Sequence, residues 1–230
     1  EDENHARYHE GTDIIVKAWT SNGPFSYDGK FWRLKDYTFF PKPLQQPFPP
    51  IYASAVLTPE SAIWAGKHGF HLSCALFVPQ QARVKTVIEH YRQSLRENGF
   101  RPEEKEISGV FQMYCAPTQE QAVREGVQYA QNYFKFFGAL DARAAHDSQD
   151  FEHHGRGISR AFAAQPKEGS DPARQFMIGD PSFCIDQIQW AREYYGVNYL
   201  IFEVAQGGEP HEMVMQSLRL FAEKVMPAFK

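Results

Sequence analysis

Residues Pro49–Phe70 read PPIYASAVLTPESAIWAGKHGF, and the parsing of this stretch decides the fold. A short apolar run, Ile51 to Val56, breaks at Thr58-Pro59-Glu60-Ser61, and an apolar-periodic segment follows. Thr58 suits a helix N-cap, Pro59 the first helical position, and Glu60 the positive end of the helix dipole. The stretch is therefore read as a strand over 50–56 feeding a helix over 59–68.

Working outward, the same handover repeats. A strand over 70–77 (FHLSCALF) precedes a helix over 80–97, whose Val84, Val87, Ile88, Tyr91 and Leu95 form one apolar stripe. A strand over 107–115 precedes a helix over 118–137. A polar stretch, 139–173, interrupts the rhythm as a candidate mobile lid. A short strand or loop then leads to a helix over 181–195. A strand over 198–205 precedes a helix over 210–226, with Val214, Leu218, Phe221 and Val225 in register. The strands are nearly continuous apolar runs, the pattern of strands covered on both faces. Repeated βα units predict a parallel sheet. No GxGxxG or GxxxxGK[ST] follows any strand, which argues against a dinucleotide or P-loop sheet.

Upstream, residues 2–19 read as a helix already under way at the first residue, with Tyr8, Thr12, Ile15 and Trp19 near one face. FSYDGKFWRL follows, with Asp28-Gly29 signalling a type I′ turn, so a hairpin or extended excursion is expected. Five prolines between Pro41 and Pro50 bar helix and central strand, leaving an extended connector.

Only four convincing βα units are present, whereas a (β/α)8 barrel needs eight strands. The fold class is read as α/β of the (β/α)8 TIM-barrel type, represented by its C-terminal part within a single domain over 1–230. An open half-barrel would expose sheet edges and an apolar interior. The remaining strands are thus expected outside these residues or from another chain.

Composition narrows the function classes. A net charge of −4 leaves no footprint for nucleic acid, and no basic block points to a membrane surface. No run approaches the roughly 18 apolar residues of a membrane span. The three cysteines, Cys74, Cys115 and Cys184, are odd in number and form no CxxC. Reduced thiols in a cytoplasmic protein fit better than a disulfide framework or a zinc site. The adjacent His153 and His154 lack the spacing of a metal pair, so no metal is expected.

The Thr-Pro-Glu-Ser junction places free backbone N–H groups, a positive dipole end and hydroxyls at the carboxyl end of a strand. That is a ready anion site on the ligand face of a barrel. A plain helix start satisfies the same residues.

PFSYDGKFWRL, the FFPKPLQQPFPPI connector and YASAVLTPESAIWAGKHGF together resemble bacterial-luciferase-like flavin monooxygenases. IGDPSFCIDQIQWAREYYGVNYLIFEV and the closing MQSLRLFAEKVMPAF are similar to that family's later passages. The resemblance spans nearly the whole chain but only the later two-thirds of a typical member. It implies a (β/α)8 barrel with FMN, or in some branches F420, at the carboxyl ends of the strands. The backbone at Leu57 and Thr58, with the Ser61 hydroxyl, would grip the 5′-phosphate. Ala53 and Ser54 would lie near the ring or ribityl chain.

NHARYHE stands where members carry an SRxRF/YxE segment, so His5 and Arg7 take the two Arg positions and Arg7 is a phosphate candidate. A solvated helix face accounts equally for His5, Arg7 and His9. Arg156, Arg160 and Arg174 are candidates to close over an anionic cofactor. Glu203, a charge near the end of an apolar strand, is the catalytic candidate, and a structural carboxylate is its alternative. The family's usual general acid–base residue would lie upstream of this chain.

The expected activity is monooxygenation of a small organic substrate by reduced FMN and O2, with a separate flavin reductase as partner and a homo- or hetero-oligomer as assembly. An F420-dependent hydride transfer and a non-catalytic flavin-binding subunit are the alternatives.

Overall fold

The computed structural model describes residues 2–147, 172–205 and 207–230, which fall into two compact units, Glu1–Ile51 and Tyr52–Lys230. In the first unit a helix, α1 (Asp2–Thr20), accompanies an antiparallel pair, β1 (Phe25–Asp28) and β2 (Arg33–Tyr37). Of the expected apolar face, Thr12 is buried but Tyr8 and Ile15 are about half exposed. The buried positions are instead Glu10, Thr12 and Ala18, because the helix holds the hairpin by polar contacts.

The Glu10 carboxylate accepts the backbone N–H groups of Lys30 (3.0 Å), Phe31 (3.0 Å) and Trp32 (2.9 Å). Lys17 donates to Ser26 O at 2.9 Å. The hairpin does not turn on two residues. Gly29 to Trp32 form the connection, closed by Gly29 N–H donating to Trp32 O at 2.9 Å, and the carboxylate supplies the acceptor those amides need. The proline-rich connector carries no regular structure, as its composition requires.

The second unit is a parallel sheet in the order β3 (Tyr52–Ser54), β4 (His71–Ala75), β5 (Ile107–Gln112), β8 (Tyr199–Glu203). Between β3 and β4 runs α2 (Pro59–Lys67); between β4 and β5 runs α3 (Gln81–Glu97). After β5 the chain makes a two-residue strand, β6 (Tyr114–Cys115), then α4 (Gln119–Asp147). It returns through α5 (Pro172–Phe176), β7 (Ile178–Gly179) and α6 (Pro181–Tyr195), and α7 (His211–Lys224) follows β8.

The expected strand over 107–115 is split. Met113 N–H still donates to Glu203 O at 2.9 Å, and beyond it Tyr114 and Cys115 pair with Ile178 and Gly179 instead. The stretch read as a lid from 139 begins as helix, since α4 continues through the alanine-rich residues to Asp147. Its remainder, 148–171, with His153, His154, Arg156 and Arg160, lies outside the described residues.

Helix α6 matches expectation at both ends because both end signals are explicit. Asp180 accepts Phe183 N–H at 2.9 Å, Pro181 opens the first turn, and Gly196 closes the helix at φ 68°. Helices α2 and α3 cross closely at Gly66, where an added Cβ would lie 2.6 Å from Ser94 Cβ and 2.9 Å from Tyr91 O. Ser94 Oγ donates to Ile63 O and Tyr91 OH to Phe70 O, locking that crossing.

Coverage on both faces, expected from the apolar runs, is not what the described residues show. One face carries Ala53, Leu72, Cys74, Ile107 and Phe111, all buried, and Phe202 on it meets Phe221 of α7 at 4.9 Å. The other face carries Tyr52, Tyr199 and Ile201, which are 38%, 49% and 40% exposed. The described strands form an open sheet and do not close on themselves.

At the amino ends of these strands Tyr52 stacks on His71 (4.8 Å between ring centroids) and donates its hydroxyl to Glu106. Glu106 N–H donates to His71 Nδ1 at 2.8 Å, so the neutral ring carries its proton on Nε2. Burial holds the His71 pKa below its usual 6.5, with Lys105 acting in the same direction and Glu106 opposing. Protons therefore bind the unfolded chain more readily. The stabilisation is complete above about pH 6.5 and is withdrawn as pH falls through that value toward the lower folded pKa. Thermal unfolding at pH 7.5 and 5.5 is expected to show a larger drop in Tm for the wild type than for His71→Gln. Equal drops would remove His71 from the acid sensitivity.

Candidate functional site

The carboxyl end of β3 builds one half of the site. Ala55 N–H still donates to Ser73 O at 3.0 Å, after which the chain turns through Val56 and Leu57 into α2. Thr58 is the N-cap with extended backbone (φ −110°, ψ 103°), yet its side chain makes no capping hydrogen bond. Pro59 has no N–H, and the amides of Glu60 and Ser61 have no acceptor within the helix. Leu57, Thr58 and Ser61 are half-buried, so this turn is reachable from solvent. It lies at the same end of the sheet as the last residues of β4, β5 and β8, as the parallel register requires.

Alternation along β3 separates two candidates. Ala53 is 2% exposed on the helix-covered face, whereas Ser54 is exposed on the open face. Only Ser54 presents its side chain on the open side.

Arg83 was not anticipated from the sequence. Its Nε donates to Leu57 O at 3.0 Å, tying the guanidinium of α3 to the loop that opens α2. It has no acidic partner among the described residues. A signal was available, since a cation in the first turn of a helix opposes the helix dipole, and α3 has no acidic residue there.

The other half of the site sits on the far edge strand. Glu203 closes β8 on the open face opposite Gln112 of β5, and both line an open cleft with Met113, Tyr114 and Glu209. Glu203 Oε2 is buried and accepts no hydrogen bond among the described residues. Burial raises the Tyr133 pKa, and the Glu203 charge adds to it. The Glu209 carboxylate accepts Gly207 N–H at 2.9 Å. Gly207 is held against α4 so closely that an added Cβ would fall 2.1 Å from Tyr129 O, which fixes this loop over the cleft.

The remaining candidates have partners within their own units. Arg7 belongs to the first unit, where it pairs with Glu3 at 2.8 Å and lies 4.4 Å from the centre of the Phe31 ring. Arg174 on α5 donates to Gln187 Oε1 at 3.2 Å and faces the Phe183 ring. Burial pushes the Cys74 thiol up to about 12, an inert state at neutral pH. Among the described residues no group of three His, Cys, Asp or Glu side chains is placed to hold a metal, and no helix is long and apolar enough to cross a membrane.

The chain is 27% identical over 233 residues to the oxygenase component of a flavin-dependent trigonelline monooxygenase from Acinetobacter baylyi (strain ATCC 33305 / BD413 / ADP1), covering 97% of this chain and 60% of the relative. The crystal structure of the monooxygenase RslO1 from Streptomyces bottropensis superposes with a TM-score of 0.77 at 24% identity, covering 100% of this chain and 63% of that one. An F420-dependent secondary alcohol dehydrogenase, solved with an F420–acetone adduct, gives a TM-score of 0.65 at 19% identity over 96% of this chain and 60% of its own. The chain thus spans about three-fifths of the length of these proteins. The luciferase-like monooxygenase family profile matches residues 1–198, and the chain belongs to that family.

Proposed function

We propose that this chain is the later part of a luciferase-like (β/α)8 barrel, that it binds FMN, and that the complete protein uses reduced FMN and O2 to oxygenate a small organic substrate. The observation that carries the reading is the first turn of α2. Its amides have no intrahelical acceptor, its Thr58 hydroxyl makes no capping bond, and Arg83 is tied beside it at the carboxyl edge of a parallel sheet. That donor set fits a phosphate dianion: dipole, backbone N–H groups, hydroxyls and one guanidinium. The open face beyond it, with Ser54 and no bulky side chain at the end of β3, leaves a flat ring room to approach the backbone.

When bound, the flavin supplies the electrons that activate dioxygen. The residues of this chain hold and shield it. Leu57, Thr58, Ser61 and Arg83 anchor the phosphate at one edge of the sheet. Glu203 stands at the other edge, three strand spacings or about 14 Å away, a span that a ribityl phosphate and ring system can bridge. There its buried Oε2 is positioned to accept a proton or a polar substrate group. The likeness to an oxygenase component supports supply of reduced flavin by a separate reductase.

Titration with FMN and with F420, followed by oxygen uptake with chemically reduced FMN, tests the reading. FMN is expected to bind at micromolar concentration or tighter. Binding of F420 alone would overturn the assignment in favour of hydride transfer.

A further inference from the structure

Cys115 ends β6, and its register partner across the parallel pair is Gly179 of β7. Five residues on, Cys184 lies in the first turns of α6 with its Sγ 3.9 Å from Gly179 O. Gly179 O accepts both the Ala116 N–H at 3.1 Å and the Cys184 S–H, so the two cysteines flank one carbonyl, and they are 2% and 0% exposed. The Cys115 backbone is fixed as well, its N–H donating to Ser217 Oγ at 2.8 Å, while that hydroxyl points to Met113 Sδ at 3.8 Å. Two cysteines that meet at one glycine from two different elements, each with its backbone N–H bonded, to Ser217 Oγ and to Asp180 O, are unlike Cys74, which lies buried within β4.

We propose that Cys115 and Cys184 form a peroxide-oxidisable dithiol that closes to a disulfide between the β6–β7 pair and the start of α6. Cys184 keeps its proton, pushed up by the neighbouring Cys115 thiol and by burial, while Cys184 in turn lowers the Cys115 pKa against burial and the Asp180 charge. Cys115 is therefore the nucleophile. Its thiolate attacks one oxygen of hydrogen peroxide; the O–O bond breaks, and the departing hydroxide takes a proton to become water. The resulting sulfenic acid on Cys115 is attacked by Cys184, an S–S bond forms, and the second hydroxide leaves with the Cys184 proton as water. One peroxide is reduced to two waters and two thiols are oxidised to one disulfide. Pro117 and Thr118, two and three residues beyond Cys115, are exposed, so peroxide reaches the thiol by local opening at this strand end.

The disulfide would tie together the base of the excursion that leaves through α4 and returns through α5. This inference is independent of flavin binding, because the oxidant is added. Treating the protein with dilute hydrogen peroxide and counting thiols after denaturation should reduce the three free thiols to one. Intact mass should fall by about 2 Da, a digest should yield Cys115 linked to Cys184, and dithiothreitol should restore all three thiols. In Cys184→Ala the link cannot form, and Cys115 should instead be trapped as a sulfenic acid by dimedone. Retention of three thiols under peroxide that already oxidises methionine would overturn the proposal. So would loss of thiols as sulfinic or sulfonic acid, or as a link involving Cys74.

Discussion

Glu10→Ala is expected to destabilise the first unit by about 3 kcal/mol or more and to release the Gly29–Trp32 connection. Hydrogen bonds to a charged acceptor contribute roughly 1.5–3 kcal/mol each, and this carboxylate accepts three backbone amides from a residue only 9% exposed. Truncation leaves those amides without their acceptor. The loop is partly exposed, so water recovers some of the loss and the full sum is not reached. Glu10→Gln keeps one acceptor oxygen and removes the charge, so it should fall between wild type and alanine. Hydrogen exchange at Lys30, Phe31 and Trp32 reads the effect directly. Wild-type protection at those amides in the alanine variant would show that the hairpin closes without the carboxylate.

That residue also marks the limit of sequence reading in this unit. In NHARYHE attention falls on His5 and Arg7, which stand at the family's arginine positions. The glutamate closing the same segment is the one buried, and nothing in a helical period predicts that a charge rather than Tyr8 or Ile15 will face inward. Long-range acceptance of loop amides is a tertiary fact.

The second unit was more legible, for physical reasons that vary by element. Helix α6 carries Asp-Pro at one end and Gly at the other, so its bounds follow from capping alone. Strand β5 lacks any such punctuation: VFQMYC is uniformly apolar or neutral, and the change of partner at Met113 depends on where β7 arrives. Helix α4 runs past its expected end because polar composition predicts loop, while the alanines within it favour helix. The parallel order of the four strands follows from the βα rhythm. The openness of one face does not, because an apolar run reports what a strand tolerates rather than what covers it.

At the candidate site, the turn from Leu57 to Ser61 was legible because capping, dipole and proline signals coincide there. Arg83 was not, since it comes from the next βα unit and only the fold brings it to Leu57 O. Arg7 and Arg174 show what the sequence leaves out, the partner each side chain takes. Each is a cation in a suggestive segment, and each is engaged within its own neighbourhood by Glu3 and Phe31 or by Gln187 and Phe183.

Ser61→Asp should weaken FMN binding about a hundredfold or more while leaving riboflavin binding within about twofold. A carboxylate in place of the Ser61 hydroxyl would stand against the phosphate. At 4–5 Å and an effective dielectric near 20, like charges repel by about 3–4 kcal/mol per unit charge before salt screening. The lost hydroxyl donor adds to this. The substitution is not expected to unfold the helix, because an acidic residue in the first turn of α2 favours the dipole, as Glu60 already does. Lost binding therefore cannot be assigned to lost structure.

Riboflavin carries the same ring without the phosphate, so it separates the anchor from the ring surface. Arg83→Ala, in parallel, should cost about tenfold for FMN and flatten the salt dependence of its binding. If FMN and riboflavin weaken together in Ser61→Asp, or if neither weakens, the phosphate is held elsewhere and the first turn of α2 is only a helix start.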